Sequence, residues 1–169
     1  DQIFESFKEL LLKSVALCRL MTYELSPPVL KKYGICEAIR WKLSILAENY
    51  QLSTDFDTNI ERLGVNDKTK LQLYRMVVEL LNNVVKHAMA TKVKVKVRLH
   101  QKELRFIVED NGKGFKYNVE RTLYSKNSFG LFSIRERLSY LQGHLHIESN
   151  EQNGTKVQII LPDIEMRFH

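Results

Sequence analysis

The chain has 169 residues, 44% of them hydrophobic, and a formal net charge of +6; this is enough for one well-buried core plus an accessory element, and short for two full domains. No run of about 18 apolar residues occurs, so no segment reads as a membrane span. The opening stretch DQIFESFKEL lacks the basic flank and apolar centre of a signal peptide and has no initiator methionine, as expected of a piece of a longer protein.

In chain order, Phe4, Leu11, Cys18 and Leu25 recur every seven residues, with Phe7, Leu10, Val15 and Met21 widening the stripe. The spacing predicts a helix over 2–25 whose apolar face needs a partner helix. SPPVLKKYG then breaks the pattern, because Pro27 and Pro28 cannot continue a helix interior, and a boundary between 1–27 and 28–169 is expected there. Cys18 and Cys36 lie on separate helical patterns without metal-ligand spacing, which reads as two small buried thiols in a reducing, cytosolic setting.

A second helix is expected from about Cys36 to Tyr50, with Ile39, Leu43 and Leu46 on one face and Ile35 just before it. A strand around QLSTDFD and a loop holding Gly64 follow. A long helix is then expected over NDKTKLQLYRMVVELLNNVVKHA, with Asp67 as its cap. Next comes KVKVKVRLHQK, in which Lys92, Lys94, Lys96 and Arg98 alternate with Val93, Val95, Val97 and Leu99. Alternation describes a strand with one solvated face, and no aromatic residues interleave for base stacking, so no nucleic-acid partner is expected. The remaining elements are a strand over 103–109, an irregular segment, a helix over 130–142 stopped by Gly143, and strands over 144–149 and 155–161 joined at NEQNG. All seven glycines fall at joints in this reading.

Two places carry chemistry. On the long helix, about 100° per residue puts Leu73, Val77, Leu80, Val84 and Ala88 on a core face. The same arithmetic places Asn83, Lys86 and His87 within about 40°, 20° and 80° of Glu79. Any one of them alone reads as a solvated residue. Together, an acid that accepts a proton, an amide oxygen suited to Mg²⁺, an ammonium and an imidazole form a more selective set. The second place is VEDNGKGF. An Asn-Gly hairpin turn needs a strand directly after it, but FKYNVERTLYSKNS does not alternate, and the carboxylates of a calcium loop are missing. A ligand loop fits better. Gly112 and Gly114 allow close approach, and Asp110 presents a carboxylate to an exocyclic amine such as that of adenine.

LYRMVVELLNNVVKHA, VEDNGKGF, FGLFSIRERLSYLQG and NGTKVQIILP, in this order, resemble the ATP-binding domain of the superfamily that joins gyrase, a heat-shock chaperone, histidine kinases and MutL. MTYELSPPVLKKYGICEAIRW is similar to the junction of dimerisation helix and catalytic domain in sensor histidine kinases of the nitrate-sensor and lipid-fluidity-sensor type. The resemblance implies an α+β fold: a two-layer α/β sandwich of the Bergerat type with a mixed sheet, preceded by a long N-terminal helix. Residues 1–27 would be the second dimerisation and phosphotransfer helix, and 28–169 the catalytic domain. It implies ATP and Mg²⁺ as cofactors, with Glu79 near the γ-phosphate, Asn83 as the Mg²⁺ ligand, and Lys86 and His87 on the phosphate side. Asp110 would bind the adenine amine in a pocket shaped by Gly112, Gly114 and Phe115. Gly130 and Leu131 would open the helix after the lid, and Thr155 would lie beside the adenine. Residues 116–129 would form the lid, with Lys116, Arg121 and Lys126 as phosphate contacts.

It further implies a response regulator as partner, a homodimer through the N-terminal helix, and a cytoplasmic location, whether or not the full-length protein is membrane-anchored. Two departures stand out. Ser128 replaces the glycine usual two residues before the Gly-Leu pair, and none of the histidines at 87, 100, 144, 146 and 169 sits in a His-Asp or His-Glu phosphoacceptor helix. The acceptor is therefore expected on another segment. A non-catalytic dimerisation or regulatory module with the same fold is the alternative.

Overall fold

Period-two alternation in the basic stretch becomes a sheet with two unlike faces. β2 (Lys92–His100) buries Val93, Val95 and Val97 completely, while Lys94, Lys96 and Arg98 stay half-exposed on the opposite side. β3 (Glu103–Asp110) buries Leu104, Phe106 and Val108 on the same inner face, and β5 (Thr155–Leu161) adds Val157, Ile159 and Leu161. β1 (Ser53–Thr58) runs parallel to β2 at one edge, and β4 (His144–Ser149) closes the other. The order is β1-β2-β3-β5-β4, and every pair except β1–β2 is antiparallel, so the sheet is mixed as expected. This computed structural model describes residues 4–12, 14, 27–116 and 129–164.

The helices form the second layer. α1 (residues 4–12) is helical and exposes Phe4, Phe7, Leu10, Leu11 and Leu12. α2 (Pro28–Tyr33) occupies the stretch expected to break helical structure. Pro28 stands at the first helical position, where its fixed φ suits the helix and its missing N–H is not needed. Gly34, at φ +88, then separates α2 from α3 (Ile35–Tyr50), which buries Ile35, Cys36, Ile39, Leu43 and Leu46. The Cys36 thiol lies 3.8 Å from the Ile60 carbonyl, and burial pushes its pKa up, so it behaves as an inert core residue.

α4 (Asp67–Asn83) packs against α3, β3 and α5 (Phe129–Ser139), and α5 also covers β4. Leu73, Val77, Leu80, Val84 and Ala88 are buried as the periodicity requires. Tyr74, Met76, Val78 and Leu81 are buried too, because flanking helices enclose α4 on more than its sheet side.

Three local expectations need correction. The cap of α4 is Asn66, whose side chain accepts the Thr69 N–H at 2.9 Å, and Asp67 is the first helical residue instead. The long helix does not continue as an α-helix to Ala88: from Val84 it widens into a π turn, Val84–Ala88. α5 stops at Ser139, short of 142; Gln142 takes the left-handed conformation (φ 53) and the Gly143 N–H bonds the Leu138 carbonyl at 2.9 Å.

On the outer face the basic residues of β2 meet acids of the neighbouring strands. Lys94 pairs with Asp55 at 2.7 Å, Lys96 with Glu109 at 3.5 Å, and Arg98 with Asp57. Strand register lines up Asp55, Lys94, Glu109, Lys156 and Glu148 across all five strands, with signs alternating at every step.

Candidate functional site

Register explains why one end of the inner face differs from the rest. Successive rows read Leu99–Leu104–Leu161, Val97–Phe106–Ile159–Leu145 and Val95–Val108–Val157–Ile147, all apolar. The last row is Val93–Asp110–Thr155–Ser149. Three polar side chains therefore stand side by side where the core ends. Asp110 is 8% exposed. Burial raises its carboxyl pKa above the ordinary value, opposed by the backbone N–H groups of Gly112 and Thr155, which favour the ionised form.

The chain after Asp110 is held open as a loop and does not turn back as a hairpin. Gly112 N–H donates to Asp110 Oδ1 at 2.8 Å, a side-chain turn spanning two residues. Asn111 faces the other way and clamps the start of β2: its Oδ1 accepts from Thr91 N (3.0 Å) and Lys92 N (2.8 Å), and its Nδ2 donates to Thr91 Oγ1 at 2.8 Å. Lys113 N–H donates to the Ala88 carbonyl and its own carbonyl accepts from Gln152 N–H, both at 2.8 Å. Phe115 N–H donates to Ser149 Oγ at 2.9 Å. Both glycines are required by close approach: a Cβ on Gly112 would stand 2.3 Å from the Ala88 carbonyl oxygen, and one on Gly114, at φ +61, 2.0 Å from that of Asn150.

The bond to Ala88 joins this loop to the π turn that continues α4. Glu79 and Asn83 are half-buried on α4. The first turn of α5 lies against them: a Cβ on Gly130 would sit 2.4 Å from Glu79 Oε1 and 3.4 Å from Asn83 Nδ2. The first turn of an α-helix carries unsatisfied N–H groups and the positive end of the helix dipole, so its nearness suits the Glu79 carboxylate and any phosphate beside it. Lys86 and His87 are exposed on the π turn, where rotation per residue is smaller than the α-helical 100° on which the expected stripe depended.

The structure thus brings Glu79, Asn83 and Gly130 together, and separately Asp110, Gly112, Gly114 and Thr155, with the Lys113–Ala88 bond connecting the two groups. Phe115 is 38% exposed at the start of the lid stretch, and Leu131 packs on the core. Lys116 is paired with Glu151 at 3.7 Å, both exposed. Arg121, Lys126 and Ser128 lie outside the described residues. Sequence reasoning missed Asn111 and Ser149; polar residues beside a strand end are common, and only cross-strand register reveals what these two touch.

Residues 68–165 match the family described as histidine kinase-, DNA gyrase B-, and HSP90-like ATPase. The chain is 28% identical over 155 residues to the signal transduction histidine-protein kinase/phosphatase DegS of Brevibacillus brevis, covering 92% of this chain and 39% of that protein. It is 31% identical over 144 residues to the sensor histidine kinase LiaS of Bacillus subtilis, covering 85% and 38%. The chain spans about two fifths of the length of these curated relatives. Its fold is similar to the histidine kinase domain of the Erythrobacter litoralis blue-light activated histidine kinase (TM-score 0.63, 19% identity, 76% of this chain and 61% of that one). It is likewise similar to the Acinetobacter baumannii histidine kinase AdeS (TM-score 0.63, 16% identity, 94% and 84%). With more than half of its length inside that match, the chain belongs to the histidine kinase-, DNA gyrase B- and HSP90-like ATPase family, whose domain binds ATP.

Proposed function

We propose that the chain is the catalytic module of a two-component sensor histidine kinase, moving the γ-phosphoryl group of ATP to a histidine on another segment. Residues 28–169 would be the catalytic domain and 1–27 the second dimerisation helix. The observation that carries the reading is the meeting of Glu79 and Asn83 with the first turn of α5 at Gly130, linked through the Lys113–Ala88 bond to the loop that follows the buried Asp110.

In this reading Asp110 accepts a hydrogen bond from the adenine amine, Thr155 lies beside the base, and Gly112, Gly114 and Phe115 shape the pocket wall. The triphosphate extends toward the α5 N-terminus, near Gly130 and Leu131, with Lys86 and His87 on the phosphate side. Glu79 orients the attacking imidazole and takes its proton. Since phosphoryl transfer is governed by positioning and charge stabilisation, this small constellation is sufficient machinery.

The residues fit Mg²⁺. Asn83 carries a hard amide oxygen on a half-buried side chain that shares the first turn of α5 with the Glu79 carboxylate, and among the described residues no cluster of three or more His, Cys, Asp or Glu could cage a metal alone. An ion here would take Asn83 together with phosphate oxygens and waters, and would supply charge neutralisation on the phosphates. A homodimer through the apolar stripe of α1, a response regulator as phosphate acceptor and a cytoplasmic setting complete the proposal. Among the described residues no helix is long and apolar enough to cross a membrane.

The test is phosphorylation in trans. Mixed with Mg²⁺, labelled ATP and a histidine-bearing dimerisation helix pair from a sensor kinase, the chain should yield acid-labile phosphate on the added helices and none on itself. Glu79→Gln should reduce the rate by about 10²–10⁴-fold. Label on the chain's own histidines would overturn the assignment of the acceptor. Equal and negligible nucleotide binding by wild type and Asp110→Asn would favour a non-catalytic scaffold.

A further inference from the structure

Ser149 is the third polar member of the terminal row, and its hydroxyl has three protein partners. It accepts the Phe115 N–H at 2.9 Å, donates to the Gly154 carbonyl at 3.2 Å, and lies 3.0 Å from Thr155 Oγ1. A serine hydroxyl has one proton and two lone pairs. With the proton on Gly154 and one lone pair on Phe115, the bond to Thr155 can form only if Thr155 is the donor. The Thr155 hydroxyl then has no proton left to offer the pocket and presents lone pairs alone. Its cross-strand partner is Asp110, one of whose oxygens is already used by Gly112. An ionised carboxylate also only accepts. In that arrangement the end of the sheet presents two adjacent acceptors, Asp110 and Thr155, with the polarity of Thr155 set by Ser149.

We propose that Ser149 determines nucleobase specificity: by fixing Thr155 as an acceptor beside Asp110, it selects a purine edge bearing an exocyclic amine and rejects one bearing a carbonyl at the same position. This rests on the reading that Asp110 and Thr155 hold the base. Adenine brings N–H groups to both acceptors, directly or through one water. Guanine puts a carbonyl oxygen in place of that amine; its N1–H can satisfy one of the two acceptors, but the carbonyl finds no donor and stays unpaired, which is the situation that gives polar sites their discrimination. Removing the Ser149 hydroxyl releases the Thr155 proton, and Thr155 can rotate to donate to that carbonyl.

The experiment is calorimetric titration of the chain with ADP and GDP. Wild type should prefer ADP by at least about 100-fold. Ser149→Ala should lower the ADP/GDP affinity ratio by about tenfold, mainly by tightening GDP, as expected for one hydrogen bond. Ser149→Thr, which keeps a hydroxyl, should restore the ratio. Thr155→Val should lower it too, and adding Ser149→Ala to that variant should change it no further. Should Ser149→Ala prove unfolded in its melting curve, the Thr155→Val ratio carries the same prediction. A Ser149→Ala protein that binds ADP and GDP equally more weakly, with the ratio intact, would show a structural role only and overturn the proposal. If Asp110→Asn binds ADP as tightly as wild type, the base-pocket reading itself fails, and the proposal with it.

Discussion

Asp110 sits where an apolar core meets the proposed ligand, and its burial works against its own ionisation. Because its folded pKa is raised, its share of stability is fully present below the ordinary value of 3.8 and is lost as pH rises through the folded value. Asp110→Asn keeps an acceptor for the Gly112 N–H and removes the buried charge. The ligand-free variant should be more stable than wild type near neutral pH, by about 0.5–2 kcal/mol, while losing ATP affinity. Urea titrations between acid and neutral pH should show the gain shrinking toward acid. Two glycines separate structure from chemistry in another way. A Cβ on Gly154 would stand 2.0 Å from the Asp110 carbonyl oxygen, at φ +73, and neither backbone can yield. Gly154→Ala should cost about 2–4 kcal/mol. At Gly130 the obstacle is the flexible end of Glu79, and the site is helical. Gly130→Ala should therefore stay within about 1 kcal/mol of wild type by thermal melting, yet displace Glu79 and reduce phosphoryl transfer.

At the scale of elements, the strands and the core face of α4 were legible because burial repeats with the period of the backbone: Val93, Val95 and Val97 for a strand, Leu73, Val77 and Leu80 for a helix. Asp110 and the glycine pair were legible because their residue types are unusual at a strand end. The cap of α4 was not, since Asn66 and Asp67 are neighbours and both can cap; geometry alone decides. Asn66→Ala should cost about 1 kcal/mol in chemical denaturation and Asp67→Ala clearly less. The π turn carries no residue signature, so the positions of Lys86 and His87 could not be computed from a constant rotation. Ser149 depends on β4–β5 register, and register is a property of two strands together. The row from Asp55 to Glu148 guards that register. Exposed ion pairs stabilise little, but a one-residue slip of any strand would turn its own charged side chains toward the core. The bonds from Lys94 and Lys156 hold the Asp55 and Glu148 carboxyls below their ordinary pKa values, so this contribution is present above about pH 4 and fades in acid.

For the whole molecule, Lys94, Lys96 and Arg98 of the basic strand are matched by Asp55, Glu109 and Asp57. Among the described residues, α1 carries a run of unburied apolar side chains, with Phe4 69% and Phe7 61% exposed. If that stripe is the dimer seam, Phe7→Glu with Leu11→Glu should shift sedimentation toward the monomer and leave ADP affinity unchanged. The proposed base pocket, by contrast, is assembled from the ends of β3, β4 and β5 and is tied to the tail of α4 through Lys113. Its last wall, β5, is also the last strand among the described residues. During synthesis, Asp110 and its glycines leave the ribosome well before Thr155, so a growing chain holds every phosphate-side residue while lacking the place where a base would rest. Nucleotide capture would then have to wait for β5, and the first molecule bound would brace the pocket wall which that strand has just supplied.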